Sequence, residues 1–206
     1  MENLQDISTW SYILSAFIGI GLAAASGFRV FMPMFAVSLA SYMHWINMPT
    51  NFEWLSGLPT LITTGIAMIV EIAAYYIPVV DNILDSFNVP LAAVAGTILF
   101  ASQYTGMDTF PQWALALIAG GGTAATISSG FAGTRAASTA TTGGIGNSVV
   151  ATTETTGAGL LSIGAFAFPV IAGVIAIILV IIVIVMGRKL WRKFRTYNSG
   201  DIGPSS

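Results

Sequence analysis

Before its final stretch the chain contains only two basic residues, Arg29 and Arg135. Each follows a Ser-Gly-Phe tripeptide, Ser26-Gly27-Phe28 in one case and Ser129-Gly130-Phe131 in the other. Each is followed in turn by a glutamate in or beside apolar sequence, Glu71 in "MIVEIAAYY" and Glu154 in "VVATTETTGAG". An arginine in such surroundings can hold an anion or a carboxylate, and a glutamate can carry a proton or Na⁺. An ionised side chain at the centre of a membrane helix costs at least about 2.5–3.5 kcal/mol, so it is expected to face a partner or a water-filled cavity. Two readings follow. Arg29/Glu71 and Arg135/Glu154 are structural ion pairs, or they line a path for a solute or ion.

The second chemistry-bearing stretch is "TRAASTATTGGIGNSVVATTETT", residues 134–156, nearly half of it Ser or Thr. Gly143, Gly144 and Gly146 are poor helix formers, which predicts a broken helix here. In lipid, non-helical backbone is tolerated only where it is buried in protein or lines a cavity. Ser138, Thr139, Thr141, Thr142 and Asn147 could then supply hydroxyl and amide groups to an ion or to the freed backbone. Together with Arg29, Glu71, Arg135 and Glu154 they form the predicted substrate- or ion-binding set, placed near the midplane. A plain Ser/Thr/Gly connector is the alternative, although more than twenty residues is long for one.

A third constellation is "EIAAYYIPVVDNILDSFNVP", residues 71–90. Tyr75 falls one helical turn after Glu71. Asp81, Asn82 and Asp85 offer oxygen ligands for a cation such as Mg²⁺ or Ca²⁺. They could equally cap the following helix. No cysteine is present and His44 is the single histidine. A thiolate or multi-histidine metal site is therefore excluded, as is a His/Cys nucleophile–base pair. No enzymatic activity, metal or cofactor is expected, and nothing points to nucleic acid.

The elements that must position these residues are set by composition. The 206 residues are 55% hydrophobic and 8% charged, with a mean hydropathy of +0.81, whereas soluble domains carry about 25% charged residues. This predicts an all-α polytopic membrane protein in a lipid bilayer. Apolar segments are read at about 10–26, 28–43, 58–80, 88–105, 110–130 and 157–187. With roughly 20 apolar residues needed per span, they give about five to seven transmembrane or re-entrant helices. Pro169 within the last predicts a kink. The five tryptophans, at 10, 45, 54, 113 and 191, fall near predicted ends, as an interfacial belt would place them. The acidic start lacks the basic region of a secretory signal.

Residues 1–187 are read as one membrane domain. Its halves, 10–85 and 105–187, repeat the order apolar segment, Ser-Gly-Phe, Arg, Glu, apolar segment, which is consistent with an inverted repeat built on broken helices. Residues 188–206 begin with "RKLWRKFR", five of the seven basic residues, and end in a polar tail expected to be disordered. The positive-inside rule places that terminus in the cytoplasm.

Three stretches, "GFRVFMP", "EIAAYYIPVVDNILD" and "RAASTATTGGIGNSVVATTE", resemble in the same order the bacterial membrane family catalogued as domain of unknown function 4126. The resemblance covers roughly residues 18–185. It implies a small integral protein of the bacterial inner membrane and brings no activity or substrate with it. It places Arg29, Asp81, Asn82, Asp85, Arg135 and the Thr/Gly stretch in the family's pattern.

The functional expectation is a small transporter or permease. Two arginines and a Ser/Thr/Gly-rich broken helix would form its intramembrane site for a small anionic solute or ion. An oligomeric ion channel and a structural membrane protein remain as alternatives. The glycine-rich breaks favour close packing and hence a homo-oligomer.

Overall fold

The computed structural model describes residues 2–104 and 107–200, with side chains for all of these except 2–8, 78, 79, 82, 190 and 193–200. The described residues form eight α-helices and no strand. They are α1 (Glu2–Phe28), α2 (Phe31–Tyr42), α3 (Leu58–Ala74), α4 (Pro78–Ala101), α5 (Thr109–Leu115), α6 (Gly122–Thr142), α7 (Asn147–Ala167) and α8 (Pro169–Gly200). A 3₁₀ turn, Thr50–Ser56, precedes α3, and the two are bent by 61°. Four helical stretches are long and apolar enough to cross a bilayer, or five if that bent pair is one span.

Chain direction follows from the contacts. The Tyr12 ring near the start of α1 stacks on Tyr104 just past α4, with centroids 6.3 Å apart. Phe52 of the 3₁₀ turn meets Trp113 of α5 at 5.8 Å. These rings define one end of the bundle. At the other end lie the last turn of α1, the last turn of α3 and the first turn of α4. A helix α8 that starts with Ala172 against Gly21 and carries Val183 against Gly130 runs toward this second end. The basic run from Arg188 therefore follows on the second end's side.

The core between these ends is small-residue packing. Ala23, Ala24 and Ala25 of α1 are fully buried, as are Ala124 of α6, Ala158 of α7 and Ala176 of α8. Small side chains let helix backbones approach closely, where lipid supplies no hydrophobic drive for association. A methyl group at Gly96 of α4 would come within 2.6 Å of Ala124 Cβ and 2.9 Å of the Gly120 carbonyl oxygen, so glycine is required there. Outward faces carry the large apolar residues instead, including Ile171, Ile178, Ile181 and Val185 of α8.

Several predicted boundaries are corrected. The helix break predicted within 134–156 is present but is confined to Gly143–Gly146, and the rest of the stretch is helical. Residues Thr109–Thr142 form one continuous 34-residue helical run through α5, a π-helical stretch at Ala116–Gly121, and α6. The chain then turns within Gly143–Gly146 and enters α7. Gly143 (φ 62°) and Gly144 (φ 93°) take the left-handed conformation that ends α6, with the Gly143 N–H donating to the Thr139 carbonyl. The threonines that look like helix breakers satisfy themselves. Thr134, Thr141, Thr152, Thr153 and Thr156 each donate to the carbonyl four residues earlier, which keeps them inside the helix.

Pro169 does not kink a long helix but opens a new one, because a proline fits a first helical position, where its missing N–H is not needed. The tail expected to be disordered from Thr196 continues α8 as far as Gly200. Residues 201–206 lie outside the described residues.

Candidate functional site

At the second end of the bundle, one aromatic ring collects both interior arginines. The guanidinium carbon of Arg29 lies 3.9 Å from the Tyr75 ring centroid, and that of Arg135 lies 4.1 Å from it. A cation over an aromatic face is attracted by the ring quadrupole, and more so away from water. Arg29 is the residue just after α1, Tyr75 caps the C-terminus of α3, and Arg135 sits on α6. The two arginine side chains are 0% and 2% exposed.

Carboxylates close the cluster. Glu154 of α7 is shared. It accepts from Arg135 Nε at 3.1 Å, takes a second, shorter bond from Arg135 Nη2, and stands 3.4 Å from Arg29 Nη2. Asp81 of α4 pairs with Arg135 Nη1. The other Asp81 oxygen accepts from Asn147 Nδ2 at 3.0 Å, and Asn147 Nδ2 also reaches Thr139 Oγ1 at 3.1 Å. Asp85, one turn along α4, lies 3.6 Å from Arg135 Nε. Arg29 also donates to Thr155 Oγ1 at 3.2 Å and to the Ala151 carbonyl at 3.0 Å.

Glu71 does not pair directly with Arg29 as expected. Its two carboxylate oxygens accept from the backbone N–H groups of Val30 (2.8 Å) and Phe31 (3.0 Å). These are orphan donors at the start of α2, which has no preceding turn to satisfy them. The break between α1 and α2 is therefore stabilised from α3 by a buried acid, and the positive end of the α2 dipole favours that acid's charge. The break also frees Arg29 from the helix surface.

Of the predicted site residues, Arg29, Arg135, Glu154, Asp81 and Asp85 converge, with Glu71 alongside through the α1–α2 break. Asn147 and Thr139 join at the edge through Asp81. Ser138, Thr141 and Thr142 do not take part. Thr141 and Thr142 donate to carbonyls of their own helix, and Ser138 lies 3.5 Å from Thr142 Oγ1. Asp81 does not cap α4, whose cap residue is Ile77, and its two oxygens are engaged by Arg135 and Asn147. Among the described residues no group of three or more His, Asp or Glu side chains is arranged to hold a metal ion. The side chain of Asn82 lies outside the described residues.

The cluster lies at the ends of three of its helices. Asp81 is in the first turn of α4, Tyr75 ends α3, and Arg29 follows the end of α1, so the site is at one end of those helices. Thr155 is the contributor that sequence reading passes over. Its one mark is adjacency to Glu154, and only the α7 backbone geometry turns its hydroxyl toward Arg29.

Helices this long and apolar, arranged around a cluster of buried charge, define a polytopic α-helical membrane protein. The cluster unites all three motif stretches read from the sequence. A family model described as "Domain of unknown function (DUF4126)" matches residues 16–189, and the chain belongs to that family. No curated protein and no solved structure matches it.

Proposed function

We propose that this protein is a small permease of the bacterial inner membrane, with the buried cluster as its ion-binding or ion-coupling site. The observation that carries this reading is the convergence of Arg29, Glu71, Tyr75, Asp81, Asp85, Arg135 and Glu154 from α1, α3, α4, α6 and α7. Taking charges out of water costs several kcal/mol per ion. A structure that only needed to join helices could do so with small residues and hydroxyls.

The charge balance refines the expected ion. Four carboxylates surround two guanidinium groups, so the site suits a proton or small cation better than an anion. An anionic solute would have to displace Glu154 from Arg29, the longer of that carboxylate's two pairings. With the basic run after α8 in the cytoplasm by the positive-inside rule, the cluster faces the cytoplasmic half and α1 starts on the opposite side.

Flux into reconstituted vesicles tests the proposal, read as transient currents on a supported membrane under imposed H⁺, Na⁺ and K⁺ gradients. A cation- or pH-driven current that Arg29→Gln abolishes, in protein that still inserts and stays monodisperse, supports the permease. Equal, negligible currents from wild type and variant leave the cluster as helix-joining architecture. The dense pairing around Arg135 favours that second reading.

A further inference from the structure

The charges of the cluster do not cancel, and the surplus can be located. Asp81 and Glu154 answer Arg135 and Arg29 one for one. Glu71 is held by the two amides that open α2. Asp85 is left over. Its ionic contact among the described residues is the 3.6 Å approach to Arg135 Nε, a nitrogen that already donates to Glu154.

Asp85 is also the most exposed of the acids paired with the arginines. Its side chain is 21% exposed, against 1% for Asp81 and Glu154. A second, independent observation bears on the same place. Two buried polar atoms of the cluster have no hydrogen-bond partner: Arg29 Nη1, a donor, and Asn147 Oδ1, an acceptor. Asn147 is bonded to Asp81, one helical turn from Asp85. Unsatisfied donors and acceptors in a charged interior are where bound water is retained, and bound water conducts protons.

The charged and titratable groups facing Asp85 come from every neighbouring helix. They are Asp81 on its own helix, Arg135 on α6, Arg29 at the end of α1, Glu154 on α7 and Tyr75 at the end of α3. The acids among them lie close to Asp85, and the two arginines are each already matched by another carboxylate. We infer that Asp85 is a proton-binding site, and that protonating the Asp85 carboxyl leaves every remaining carboxylate of the cluster answered, Asp81 and Glu154 by the arginines and Glu71 by the two amides that open α2. The step is simple uptake: a carboxylate oxygen takes a proton from water reaching the exposed edge and releases it there. This deepens the permease reading, on which its role in coupling rests, but the site can be tested without transport.

The test is infrared difference spectroscopy of the full-length protein in liposomes while the bath is cycled between acidic and neutral pH. The expected result is a protonated-carboxyl C=O band that grows on acidification, disappears in Asp85→Asn and persists in Asp108→Asn. Should Asp85→Asn fail to insert, Asp85→Glu decides the matter. It moves the band if residue 85 is its source and leaves it in place if not. No titrating band, a band unchanged by substitution at 85, or one that follows Na⁺ and ignores pH overturns the assignment. A band at Asp85 without any current would keep the proton site and remove the permease.

Discussion

The two interior arginines share one aromatic ring and one glutamate, yet their settings differ. Arg135 sits inside a continuous helix and touches three carboxylates. Arg29 sits at a helix break and has one carboxylate at 3.4 Å, a hydroxyl, a carbonyl and one terminal nitrogen with no partner. Saturated pairing on a rigid element is how a buried charge is made permanent. Sparse pairing beside a break is how one is kept exchangeable. Under the permease proposal, this contrast gives Arg135 the architectural part and Arg29 the ion-handling part.

The sharpest way to break this contrast is Arg135→Ala. It strands Asp81 in the interior and leaves Glu154 only the 3.4 Å approach of Arg29, and removing one partner of a buried pair costs about 3–5 kcal/mol. The expected outcome is loss of monodisperse protein, or a large drop in unfolding free energy measured in detergent micelles. Arg29→Ala comes next. It leaves Glu154 still paired with Arg135, so the expected cost is nearer the ~1–3 kcal/mol of an unsatisfied buried polar group. If the two variants prove equally destabilising, the division of roles fails.

Glu71→Gln sharpens the picture at the break itself. The amide keeps one acceptor oxygen for two backbone donors and loses the charge that complements the start of α2. A cost of about 1–2 kcal/mol, in the range of a lost helix cap, is expected. It should appear as faster hydrogen exchange at the amides of Val30 and Phe31, with exchange in α6 unchanged. Smallest of all, Ser138→Ala and Thr141→Ala should shift stability by no more than about 0.5 kcal/mol, as surface changes do. A large loss of ion flux in either would return the Ser/Thr hydroxyls to the site.

That last contrast marks the limit of what the residues alone reveal. The membrane class, the seat of the interior charges and the association of the 71–90 stretch with a polar site are all legible, because burying an ion is expensive wherever the chain places it. The expected Arg29/Glu71 pair is not found, because pairing by order along the chain cannot see that a break at residue 29 exposes amides that compete for Glu71. Cost arguments identify Asp81 as a residue needing a partner but not Arg135 as that partner, 54 positions away. Composition also misplaces most hydroxyls of 134–156, Thr139 and Thr155 being those that reach the cluster. Ser and Thr read as polar in a sequence, yet each can return its proton to the preceding turn and leave the helix intact.

The close fit of Gly96 against Gly120 and Ala124 also constrains how the molecule can move. Gly27 of α1 is placed as tightly, with the Ala124 carbonyl oxygen 2.7 Å from where its Cβ would stand, so α1, α4 and α6 pack as one close unit. Arg29, Asp81, Asp85 and Arg135 are carried on or directly beside that unit. Displacement must instead use the joints outside it, at Arg29–Val30, at the Gly143–Gly146 turn and at Phe168 between α7 and α8. Glu154, on α7, lies beyond the Gly143–Gly146 turn. Rocking of α7 at that turn therefore changes the distances from Glu154 to Arg29 and Arg135, while the charges carried by the close-packed unit keep their spacing.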